Sequence, residues 1–185
     1  MMKITSILVF FSLLIISCSA NNTNQSQESV RDFDVEQRLN ELGIELDSPS
    51  PPTANFVRTV KVGNLVFLSG HGPDLPGGGR VIGTVGDNLR LEQGNEAARH
   101  AGISLLSSLK AEIGNLNKVR RFVKVTGMVN ADPSFTEHSQ VINGFSDLMV
   151  EIFGNDGKHA RAAVGMSSLP FNMAVEIDAV VEVTD

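Results

Sequence analysis

The chain of 185 residues predicts an α+β fold: a single sheet with two helices packed on one face. Three observations lead there. β-Branched runs at 119–130 and 174–183 read as strands, the second with clean alternation: Val175, Ile177, Ala179, Val181 and Val183 point one way, and Glu176, Asp178 and Glu182 the other. Two apolar stripes at helical spacing read as long helices. Gly63-Asn64, set between β-rich runs at 55–62 and 65–70, reads as a two-residue hairpin.

Taken in order, the chain begins with a segment different in kind from the rest. Lys3 gives a positive start, and 4–16 is an apolar run broken only by Thr5, Ser6 and Ser12. That is short for a membrane-spanning helix and fits the core of a signal peptide. It ends in Ile15-Ile16-Ser17-Cys18, which resembles the lipobox of bacterial lipoproteins. The resemblance implies cleavage before Cys18, lipidation of Cys18, and an exported protein anchored on the periplasmic or outer-membrane side. Each buried acyl CH₂ contributes roughly 0.8 kcal/mol, so several chains on one residue hold a soluble domain at a membrane. An ordinary signal peptide with an incidental Cys is the competing reading. Cys18 is the only cysteine, so no intrachain disulfide can form.

The polar stretch 21–29 reads as a tether. Phe33, Val35, Leu39, Leu42 and Ile44 follow at roughly helical spacing, which predicts a short amphipathic helix ending near Gly43. Pro49, Pro51 and Pro52 then break the chain. This divides it into a signal peptide at 1–17, an anchor, tether and helix at 18–52, and a folded domain at 53–185.

Within that domain, the Pro- and Gly-rich 72–79 is a loop, and 80–85 is a candidate third strand. Ala97, Ala98, Ala101, Leu105, Leu109 and Ile113 form the stripe of a helix over 91–113 that Gly114 stops. After the strand at 119–130, Asp132-Pro133 is expected to open the second helix, lined by His138, Val141, Ile142, Phe145, Leu148, Met149 and Ile152. A strand at 159–169 precedes the last one. Helices on one face leave the other face and both edges bare, and oligomerisation is one way to cover them.

The net charge of −6 argues against a broad nucleic-acid surface. Arg120, Arg121 and Lys124 read as one solvated strand edge. Gly77-Gly78-Gly79 lacks the Lys-Ser/Thr of a phosphate-binding loop and reads as flexible chain.

Several of these residues stand together in a known pattern. Asn64-Leu65-Val66-Phe67-Leu68-Ser69-Gly70, Asn143, His159-Ala160-Arg161-Ala162-Ala163-Val164, Leu169-Pro170 and Val175-Glu176-Ile177 resemble the Rid (reactive intermediate deaminase, YjgF-like) family over about 55–183. The match is closer to a divergent branch than to the archetypal deaminases. The resemblance implies a chorismate-mutase-like fold, a homotrimer with sites between subunits, and hydrolysis of enamines and imines to 2-keto acids and ammonia without cofactor or metal.

It also implies roles. Arg161 matches the residue that binds the substrate carboxylate, a task suited to a planar guanidinium that never loses its charge. A surface or interface ion pair is the bland alternative. Glu176, fifteen positions later at the family's spacing, would orient water and carry its proton. Alternation alone would equally make it an exposed carboxylate. Backbone groups at Gly70, Ala162 and Ala163 would hold the imine or developing amine. Asn143 would line the cleft or merely space its helix. Phe56 stands where the archetype has tyrosine and keeps the ring without the hydroxyl. His71, in place of a common Gln, is either a proton carrier or a loop or interface histidine. The alternative to an imine hydrolase is a membrane-tethered trimeric module that binds small carboxylates without turnover.

Overall fold

The computed structural model describes residues 31–184. The predicted signal peptide, Cys18 and the tether lie outside them.

Five strands form one sheet: β1 (Thr59–Val62), β2 (Leu65–His71), β3 (Val119–Asn130), β4 (Ala160–Met166) and β5 (Val175–Val183). Their spatial order is β1-β2-β5-β3-β4, with β3–β4 parallel and the other pairs antiparallel. Three α-helices accompany them: α1 (Val35–Glu41), α2 (Leu91–Ile113) and α3 (His138–Phe153). This is the chorismate-mutase-like arrangement.

The hairpin turns at Gly63-Asn64 as expected: Val62 pairs with Leu65, and Gly63 takes a φ of 58°, which suits a residue without Cβ. α2 lies over β2 and β5, and α3 over β3 and β4. The two helices touch closely where Gly144 faces the backbone carbonyl of Asn95. Burial along β5 alternates without a break, so Val175, Ile177, Ala179, Val181 and Val183 enter the core beneath the helices. Phe122 and Phe145 meet edge-on there, with ring centroids 6.4 Å apart.

Three expectations change. The run 80–85 is not a strand. Gly79, Gly83 and Gly86 all have positive φ and interrupt extension, leaving single bridges from Ile82 to Met173 and from Val85 to Ala131. Asp132-Pro133 does not open α3. The Asp132 carboxylate accepts from Ser134 N and Oγ at 2.8 and 2.6 Å, closing a local turn, and the helix starts at His138. The helix in 31–46 is integral to the fold rather than preliminary to it. Val35 and Leu39 are buried. Val35 N donates to Asn117 Oδ1 at 2.8 Å, and Glu36 accepts from Leu116 N at 3.0 Å while pairing with Lys110.

Among the described residues no helix lies on the opposite face of the sheet. Val60, Val62, Phe67, Val164 and Met166 remain exposed there or at its edges. No helix among the described residues is long and apolar enough to cross a membrane.

Candidate functional site

The residues singled out by sequence fall into two groups on opposite faces of the sheet. Arg161 pairs with Val125, a buried residue under the helices, so Arg161 projects to the helix side of the edge strand β4. Glu176 pairs with Met128, three positions further along β3, an odd offset that turns it to the open face.

On the helix side, α3 holds Arg161. Its Nη1 donates to Asn143 Oδ1 and Ser146 Oγ, both at 2.9 Å, and Nη2 makes a long contact of 3.4 Å to the Ser139 carbonyl. Ser146 links this guanidinium to His159, whose Nε2 lies 3.0 Å from the serine oxygen. His159 Nδ1 is 2.7 Å from the Gly157 carbonyl, which can only accept, so Nδ1 carries the proton and Nε2 accepts from Ser146. Burial first, then the nearby Arg161 charge, lowers the His159 pKa and keeps the ring neutral. Among the described residues, Nε has no hydrogen-bond partner, and Nη2 has only the long contact to Ser139. Ser139, Asn143 and Ser146 form a polar stripe at i, i+4, i+7 beside the apolar face of α3, a signal the sequence carries but the apolar stripe obscures.

On the open face, the Glu176 carboxylate lies against the bare backbone of Gly70. Burial, reinforced by Asp178, raises its pKa, and Arg80 opposes the rise. Ala162 pairs with Thr126, opposite Asp178, and so belongs to this face, whereas Ala163 turns towards the core. Phe56 is exposed just before β1, at the far edge of the sheet from β4. Four strand spacings, about 19 Å, separate those edges, so Phe56 and Arg161 of one chain do not meet.

His71 has a structural place. It is buried, its Nδ1 donates to the Ser69 carbonyl at 2.6 Å, and its Nε2 accepts from Ser108 of α2 at 2.8 Å. Desolvation lowers its pKa to about 4, so the ring is neutral at physiological pH and ties β2 to α2. Sequence reading passed over Arg80, which the glycine-rich loop brings to the open face. A cleft of about 810 Å³ opens between 45–50, the 74–82 loop and α2. Arg58, Arg80 and Phe171 line it, and Arg161 and Glu176 do not. No cluster of metal-ligating side chains occurs among the described residues.

Comparison with known proteins matches residues 36–183 to the family model described as "YjgF/chorismate mutase-like, putative endoribonuclease". The chain belongs to the YjgF family. It is 42% identical to Protein TCP17 of Trypanosoma cruzi over 152 residues, 82% of this chain and 95% of that one. Among solved structures it is similar to Atu1372 of Agrobacterium tumefaciens, whose function is unknown (TM-score 0.75, 43% identity, 82% of this chain and 94% of the other). A Shewanella oneidensis MR-1 protein described as "a putative endoribonuclease" gives a TM-score of 0.78 at 28% identity, covering 82% of this chain and all of that one. The YjgF match starts within α1, in keeping with the packing of that helix on the core.

Proposed function

We propose that this protein hydrolyses small enamines and 2-imino acids to 2-keto acids and ammonia, in clefts between the subunits of a homotrimer. The observation that carries the reading is the placement of Arg161 and Glu176 on opposite sheet faces. One chain cannot bring both to one small substrate. Arg161 of one subunit facing Glu176 of the next supplies a carboxylate clamp and a base together. The exposed Val60, Val62, Phe67, Val164 and Met166 supply apolar surface for such an assembly.

The chemistry follows from the groups. The open edge of Arg161 takes the substrate carboxylate through paired hydrogen bonds. Glu176 orients a water and accepts its proton as oxygen bonds to the carbon of the protonated imine. It then returns that proton to the carbinolamine nitrogen and takes up the hydroxyl proton as the C–N bond breaks, so that ammonia leaves and the carbonyl of the keto acid forms. A carboxylate whose pKa is raised towards neutrality suits both proton transfers. Gly70 and Ala162 present backbone on the Glu176 side, where the nitrogen would be held. The endoribonuclease description attached to the family receives little support from a chain of net charge −6.

The lipobox-like Cys18 adds the proposal that the trimer is exported and tethered by lipid on the periplasmic or outer-membrane side. Mass analysis of the purified N-terminus, with and without globomycin during growth, tests that part.

The function is tested by generating imino acids in the cuvette with an amino-acid oxidase and following ammonia and keto-acid release by the full chain. Acceleration that disappears in Arg161→Ala and Glu176→Gln is the expected result. Folded, trimeric protein that accelerates nothing across a broad panel would overturn it in favour of a module binding small carboxylates.

A further inference from the structure

Arg161 ends in a planar fork on a long stem, and a fork grips a carboxylate only when one of its edges is turned to it. What orients it here is a chain of hydrogen bonds that can run in one direction only. The Gly157 carbonyl can only accept, so His159 donates to it through Nδ1 at 2.7 Å. Burial lowers the pKa of the ring and keeps it neutral, so Nε2 has no hydrogen and can only accept. The single hydroxyl hydrogen of Ser146 therefore goes to Nε2, 3.0 Å away. The serine oxygen is left with lone pairs alone, and it accepts from Arg161 Nη1 at 2.9 Å.

Both ends of this chain are fixed. At the far end, Gly157 lies so close to α3 that a Cβ there would strike the Met149 carbonyl. The His159 ring stands edge-on to Phe145, with centroids 5.8 Å apart, and packs against Phe122 at 6.3 Å. Both phenylalanines are fully buried, so the core sets the plane of the imidazole. At the near end, Asn143, about one turn before Ser146 on α3, accepts from the same Nη1 at 2.9 Å. Nη1 carries two hydrogens and meets two acceptors. A planar group held through one nitrogen by two acceptors has its plane fixed. Nε has no partner among the described residues and Nη2 only the 3.4 Å contact to the Ser139 carbonyl, so the Nε–Nη2 edge is the one a carboxylate can take.

We infer that Ser146, its hydroxyl aimed by His159, is a positioning residue for Arg161: it occupies Nη1 and so presents the Nε–Nη2 edge to the substrate carboxylate. The inference rests on the proposal that Arg161 binds that carboxylate. Ser146 and His159 act through the guanidinium and not on the reacting atoms. Without an acceptor at His159, the Ser146 hydroxyl is free to turn its hydrogen towards Nη1, where two donors would face each other and the fork would lose one of its two anchors.

The test compares the full chain with two disruptive variants, Ser146→Ala and His159→Phe, and two conservative ones, Ser146→Thr and His159→Gln. His159→Phe keeps a ring against Phe122 and Phe145 and removes the acceptor, whereas the Gln carbonyl can replace Nε2. KM for a 2-imino acid should rise roughly tenfold in the disruptive pair, the scale of one hydrogen bond to a charged group, with kcat falling by less than KM rises. The conservative pair should regain most of the loss. Calorimetric titration with pyruvate, a 2-keto acid that needs no turnover to bind, should show the same order of Kd values. Folded disruptive variants with wild-type KM and Kd overturn the assignment. So does equal weakening in all four variants alongside lowered melting temperatures, which would mean that the site only needs the packing. If no imine is hydrolysed yet pyruvate binding follows the expected order, the deaminase reading fails and the positioning role stands. Wild-type protein that binds no pyruvate at millimolar concentration rejects the carboxylate seat and the role with it.

Discussion

Gly70 and Glu176 fit each other as a seat and its occupant. A Cβ on Gly70 would overlap Oε1 of Glu176 and stand only 2.7 Å from Cδ. The colliding atoms are the far end of a side chain, so Gly70→Ala should displace the carboxylate rather than the backbone. Stability should change by about 1 kcal/mol or less. Turnover should fall roughly 100-fold, since a misplacement near 1 Å at the reacting group costs about that much. Thermal melting beside the ammonia assay separates the two effects, and full activity in the variant would show that the Glu176 position is uncritical.

The opposite-face placement of Arg161 and Glu176 predicts complementation between inactive variants. Arg161→Ala and Glu176→Gln subunits, mixed at equal ratio and allowed to exchange, place an intact Arg161 against an intact Glu176 at about a quarter of the clefts. Roughly that share of wild-type activity should return. Recovery of none from trimers shown by mass to be mixed would mean that both residues serve one site from one chain.

His71 predicts an acid-sensitive fold. Its native pKa of about 4 lies below the ordinary value of 6.5, so the unfolded chain binds the proton more readily. Stability owed to the neutral ring is therefore complete above pH 6.5 and is lost as pH falls towards 4, where the loss levels at roughly 3 kcal/mol. Urea unfolding at pH 7.5 and 4.5 measures it. His71→Gln should be less stable than wild type at pH 7.5, and the gap should narrow at pH 4.5. Parallel pH slopes in the two proteins would place the titration elsewhere.

Much of this fold is legible in the chain because the forces that make its elements are local. The helix over 91–113 and the strand over 119–130 occur with the bounds their patterns imply, since periodicity and a Gly114 stop act within a few residues. The error at Asp132-Pro133 arose from two motifs with the same signature. Asp before Pro suits a helix cap and an Asx turn alike, and the Ser134 hydroxyl decides for the turn. The run 80–85 misled for a related reason: Gly79, Gly83 and Gly86, whose φ is positive in the folded chain, break what looks like a strand.

The candidate site divides the same way. Sequence by itself named Arg161, Glu176, Gly70 and Asn143, because their identities and spacing resemble a family, and it placed Glu176 on a polar strand face by alternation. Only the tertiary structure decided that Arg161 and Glu176 face opposite ways. That relation runs through β3, and the register of two strands on a third is set by the whole sheet rather than by any spacing along the chain. Ser146 and Arg80 were hidden for the same reason. A serine beside an apolar stripe and an arginine in a glycine-rich loop acquire meaning only when packing brings a guanidinium against the one and the Asp74 carboxylate and Phe171 ring against the other.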